Sequence, residues 1–133
     1  MNREIKFKAW DKIYKKMREV SRIIWSTPIK DEGNIHAYYN DGRNEEYNPK
    51  EYFIMEKDMV LLQFTGVKDF DENEIFEGDL LQDDVREKMG LQPLFVEFKE
   101  GSFWLNDGIS FIYLTRINLK GLRVVGNIYD KEV

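Results

Sequence analysis

The sequence contains no cysteine. Disulfides, thiolate nucleophiles and sulfur-ligated metals are therefore excluded, and nothing points to an oxidising compartment. There is one histidine, His36, so a catalytic triad or a histidine metal site would have to rest on that side chain alone. Ser102 and Ser110 are the nearest nucleophiles by type, and neither sits in a Gly-x-Ser-x-Gly elbow. Gly-x-Gly-x-x-Gly and the P-loop pattern are also missing, which counts against nucleotide-dependent enzymes. No segment approaches the roughly 18 to 20 apolar residues needed to cross a bilayer, and the first residues lack the apolar run of a signal peptide. The expectation is a cytoplasmic protein that needs no membrane, with no cofactor, no metal ligands and no catalytic residues to assign.

What is present is material for one core. The chain has 133 residues, 42% hydrophobic and 14% aromatic, the size of an ordinary domain. Its charged residues, 34% of the total, are spread along the chain rather than gathered in a tail, which argues against disorder. The net charge of −5 hides an asymmetry. Residues 1–30 hold nine Lys and Arg against three acids, a local +6, while residues 31–133 hold eleven bases against twenty-two acids, a local −11. A basic leading segment can contact phosphate, the acidic remainder of its own chain, or that of a neighbouring copy.

Short apolar runs with a period of two are separated by turn signals every eight to twelve residues, the pattern of a β-rich fold. Ile5, Phe7 and Ala9 alternate with polar neighbours, and Asp11-Lys12 begins a turn. Met17, Val20, Ile23 and Ile24 read as a returning strand, although 20, 23 and 24 also suit one helical turn. Ser26 to Pro49 carries the densest breaker signals, with a short strand from Ile35 to Tyr39 between them. Asn48 and Pro49 suit the start of a helix, yet Tyr52-Phe53-Ile54 favours a strand, followed by a hairpin turn at Glu56-Lys57-Asp58 before Met59 to Phe64. Asp83 to Gly90 is a charged excursion of one or two helical turns. Leu94 to Phe98 and Ser102 to Leu105 flank Lys99-Glu100-Gly101 as a hairpin, and Ile109 to Leu114 and Val124 to Tyr129 are further strands. The aromatics Phe95, Phe98, Phe103 and Trp104 read as core. These elements predict an α+β, predominantly β fold, with a short-strand N-terminal lobe over 1–58 and a small SH3-like barrel over 59–133, together one compact unit.

Three stretches carry a resemblance: Ile5 to Asp11 with Lys16-Met17; Gln63-Phe64-Thr65-Gly66, Lys68-Asp69 and Glu74 to Leu80; and Val125-Gly126-Asn127-Ile128-Tyr129. In this order they resemble the YopX family of phage and prophage proteins. Ser26 to Lys50 lies outside the resemblance. The family usually has glycine where this chain has Glu72; a positive φ is costly for glutamate, which predicts a longer or different turn there. The resemblance implies no established activity and no catalytic residues. It implies structural roles for Gly66 and Gly78 as backbone punctuation, for Trp10, Phe64 and Ile75 as core, and for Asp69 and Asp79 as turn anchors.

Three functions follow as expectations. The first is a non-enzymatic phage or prophage accessory protein that acts through protein contacts, including homo-oligomers and an unknown host or phage partner. The second is a nucleic-acid binder using Lys6, Lys8, Lys12, Lys15, Lys16, Arg18 and Arg22, interleaved with Trp10, Tyr14 and Trp25. The third is a metal-dependent phosphoryl-transfer enzyme built on Glu77 and Asp79 with Asp83 and Asp84 nearby. Asp69, Asp71 and Asn73 begin like a calcium loop, but the loop positions that need glycine and glutamate hold Glu74 and Leu80.

Overall fold

The computed structural model describes residues 4–29, 33–40, 51–115 and 120–130. Most of them are strand, arranged in antiparallel sheets with no closed barrel. The single α-helix among them is Asp84–Lys88 (α1), capped by the Asp83 carboxylate, which accepts the Arg86 N–H at 2.7 Å. The chain divides into two units, Lys6–Leu62 and a second comprising Gln63–Val133 with Met1–Ile5.

In the first unit, Phe7–Asp11 (β1), Lys16–Ile29 (β2), Gly33–Asn40 (β3), Glu51–Met55 (β4) and the start of Met59–Lys68 (β5) lie in the order β4-β3-β2-β1-β5. The segment Lys16 to Ile29 is strand throughout, not a helical turn. A bulge between Val20 and Arg22 shifts the alternation by one residue. Val20 opposite Tyr39 and Ile23 opposite Ala37 thus share a face despite their three-residue spacing. Part of the breaker-rich middle is strand as well, and Asn48 and Pro49 lie outside the described residues.

Glu56–Asp58 is a 3-10 turn, and the strands it joins are not a hairpin, since β4 pairs with β3 while β5 follows β1. From Met55 to Met59 the chain can span at most about 14 Å, whereas four strand spacings come to about 19 Å. The sheet must coil to allow that link. Ala9, Ala37, Tyr39, Ile54 and Met59 pack together as its buried cluster, with Val20, Ile35 and Leu61 against them.

The second unit holds the remainder of β5, which pairs with Glu74–Phe76 (β6), and a five-stranded sheet. That sheet comprises Asp79–Gln82 (β7), Leu94–Lys99 (β8), Ser102–Asn106 (β9), Phe111–Tyr113 (β10) and Arg123–Asn127 (β11), in the order β10-β9-β8-β7-β11. Lys99 pairs with Ser102 across a two-residue turn in which Glu100 and Gly101 have φ of 51° and 79°, the left-handed pair that matches strand twist. Ile75, Leu81, Leu94, Val96, Leu105 and Leu122 form the core. Each fully buried aliphatic there contributes about 1.5 to 3 kcal/mol.

Candidate functional site

The acids of the central motif face inward to their own backbone. Asp69 is buried, and its Oδ1 accepts the N–H groups of Asp71 and Asn73 at 2.8 Å each, while Oδ2 accepts that of Val124 at 2.9 Å. Burial pushes this carboxyl up, but the N–H groups of Val124, Asn73 and Asp71 outweigh it and hold it below the ordinary value. Asp79, also buried, accepts the Phe76 N–H at 2.8 Å and the Asn127 amide at 3.0 Å. Glu77 accepts the Gln63 N–H at 2.9 Å, and burial raises its carboxyl above the usual range against that bond.

Gly78 between them has φ of 79°, and a Cβ there would stand 3.2 Å from Asn127 Nδ2 and from Ile128. A side chain there would press on those two side chains by a few tenths of an ångström, and the positive φ itself favours glycine. Among the described residues no group of three or more His, Asp or Glu is placed to hold a metal ion. Asp84 lies near Arg123 at 3.9 Å, and Asp83 caps α1. His36 belongs to the first unit, and Ser102 and Ser110 to the second; Ser110 Oγ donates to Asp107.

The seven candidate cations of the leading segment are divided by the β1–β2 hairpin. Lys12, Lys15 and Lys16 are exposed around its turn, beside the exposed Ile13 and Tyr14. Asp11 ties that turn together, its Oδ1 accepting the Ile13 and Tyr14 N–H groups at 3.0 Å each. Lys12 Nζ also donates to the Lys57 carbonyl at 3.4 Å. Arg18 turns inward: its guanidinium lies 4.5 Å from the centre of the Tyr39 ring and pairs with buried Asp11 at 3.4 Å. Arg22, displaced to the other face by the bulge, donates from Nε to Glu51 at 2.8 Å and stacks on Tyr38 at 4.1 Å. Lys8 lies opposite Glu19, and Lys6 precedes β1. Of the interleaved aromatics, Trp10 is buried, while Tyr14 and Trp25 are exposed.

A second group escapes a reading of residue types alone. On the five-stranded sheet, Val96 pairs with Leu105 facing the core, so Phe95, Glu97 and Lys99 occupy the opposite face. Trp104, opposite Glu97, shares that outer face with Phe111 and Tyr113. Phe95 and Trp104 thus lie outside the core, and Phe98 is exposed toward the end of β8; of the four aromatics expected in the core, only Phe103 packs against it. The Trp104 and Tyr113 rings stack at 4.0 Å and 24°, Phe111 meets Trp104 edge-on at 6.4 Å, and Lys99 Nζ lies 4.2 Å from the Phe111 ring centre. Asn106, buried on the same face, donates to Glu97 at 3.1 Å. The signal was available: once Lys99 and Ser102 flank a two-residue turn, strict pairing puts Glu97 opposite Trp104.

Residues 6–132 match the family described as YopX protein. The crystal structure of protein EF1440 from Enterococcus faecalis is similar, with a TM-score of 0.63 and 25% identity over 97% of this chain and 96% of that one. No curated protein matches the chain.

Proposed function

This chain belongs to the YopX protein family, and we propose that it is a non-enzymatic phage or prophage accessory protein that works in the cytoplasm through protein contacts, its own copies included. One observation carries the reading. Among the described residues, eighteen large hydrophobic side chains are exposed, against fifteen hydrophobic residues buried. Scattered exposed apolar groups are ordinary, but Phe111, Ile112 and Tyr113 are exposed in succession on the edge strand β10, and contiguous apolar surface marks a contact site. The acids that stand out in the sequence are meanwhile engaged with backbone N–H groups in turns. The +6 of residues 1–30 and the −11 of residues 31–133 add mutual attraction between copies. The test is the mass of the intact protein in solution as ionic strength is varied.

A second reading, nucleic-acid binding, is favoured by Lys12, Lys15 and Lys16 lying exposed on one turn beside Tyr14. A gel-shift titration at low salt with single- and double-stranded DNA and RNA decides it. Binding that weakens with added salt and with charge reversal at those three lysines supports this reading, and no shift at micromolar protein removes it.

A further inference from the structure

We propose that the outer face of the second unit's five-stranded sheet, around Trp104, Phe111 and Tyr113, docks a basic segment of a partner protein, seating an arginine or lysine side chain against these rings beside Glu97. The inference rests on the protein-contact reading and supplies its chemistry.

Aromatic rings present a negative face to cations, and a Lys or Arg held within about 6 Å of the ring centre is attracted to it. This sheet already holds one such cation, since Lys99 Nζ stands 4.2 Å from the Phe111 ring centre. Both rings reach solvent: Phe111 is 41% exposed and Tyr113 55% exposed, and Tyr113 lies stacked on Trp104. Glu97 pairs in register with Trp104 and is oriented by the buried amide of Asn106. A carboxylate fixed beside an aromatic pair favours a guanidinium, which can stack on the ring and donate to the acid at once.

The charge summed over the second unit's sequence favours the same class of ligand. Residues 63–133 carry fourteen acids against eight bases, and Glu100 lies next to Lys99 on the β8–β9 turn. A phosphate backbone would meet this acid excess unfavourably even though bases could stack on the rings. A basic peptide meets it favourably.

Lys99 makes the assignment decidable by sign. It repels an incoming cation and attracts an incoming phosphate, so its removal has opposite effects on the two classes of ligand. The experiment follows the indole Nε1–H resonances of the intact protein, with Trp104 assigned through Trp104→Phe. The probes are a short peptide alternating arginine with leucine, the same peptide with neutral citrulline for arginine, and a single-stranded oligothymidine.

The arginine peptide is expected to shift Trp104 and leave Trp10 and Trp25 in place. Citrulline should weaken binding about tenfold, Tyr113→Ala and Glu97→Gln should each weaken it severalfold, and Lys99→Met should tighten it by about threefold. No shift at about millimolar peptide, equal binding of the citrulline peptide, or oligothymidine binding that Lys99→Met weakens would each overturn the proposal. If the protein self-associates while the Trp104 resonance ignores the peptide, this surface is wrong and the protein-contact reading stands. If neither occurs, both fall.

Discussion

The carboxylate of Asp69 accepts the backbone N–H of Val124 at 2.9 Å, across 55 residues of sequence. The turn after β5 is thereby tied to the start of β11, and the two motifs at the middle and end of the chain become parts of one support. Arg123, next to Val124, pairs with Asp71 in the same turn at 2.9 Å and lies over the Phe70 ring at 5.0 Å.

Replacing Asp69 by alanine strands the N–H groups of Asp71, Asn73 and Val124 together. Each stranded donor costs about 1 kcal/mol or more, so a loss of about 3 kcal/mol is expected in urea unfolding. Because the folded-state carboxyl is held below its ordinary value, its stabilising effect is present above about pH 3.9 and fades as pH falls through the folded-state value. The deficit of Asp69→Asn should accordingly shrink on acidification.

Glu72→Gly should stabilise the protein. The turn closes with Glu72 N–H donating to Asp69 O at 3.1 Å and Asp69 N–H donating to Asn73 O at 2.8 Å, leaving three residues in the loop. Glu72 has φ of 65°, the left-handed position that glycine favours. The glutamate therefore adopts the costly positive φ itself, and the turn is not the longer one expected from its presence. Removing the Cβ should raise stability by about 1 kcal/mol in denaturant titration, while Glu72→Val should lower it.

Glu77→Gln should raise the melting temperature at pH 7. Burial pushes the Glu77 carboxyl up, so folding favours its protonated form. That advantage is complete below the ordinary glutamate range, near pH 4.3, and is lost as pH rises through the folded-state value. A neutral amide keeps an acceptor for the Gln63 N–H without a charge to desolvate. The gain should vanish near pH 3; a gain there equal to that at pH 7 would rule out the charge as its cause.

Strand positions were largely legible, because a half-buried strand writes its alternation into the sequence. The Lys99–Ser102 hairpin and the short helix ending before Gly90 followed from turn and cap chemistry, whereas the Asp83 cap emerged only from the structure. Irregularities hid the rest. The bulge near Ser21 turned a strand alternation into the three-residue spacing of Val20 and Ile23, which mimics a helix. The link from β4 to β5 looked like a hairpin because sequence proximity does not reveal a coiled sheet. The aromatic outer face was concealed because Trp104 as a residue type suggests burial, and only register assigns it a side. The cations Arg18 and Arg22 counted as surface charge until tertiary neighbours, Asp11 and Glu51, paired with them.

Sedimentation velocity of the intact protein over a range of ionic strength tests the central claim most directly. Copies drawn together by opposite charges and exposed apolar faces should sediment as species heavier than one chain at low salt, with the distribution shifting toward the single chain as salt screens the attraction. A single chain at both low and high salt, at protein concentrations up to about millimolar, would contradict self-association.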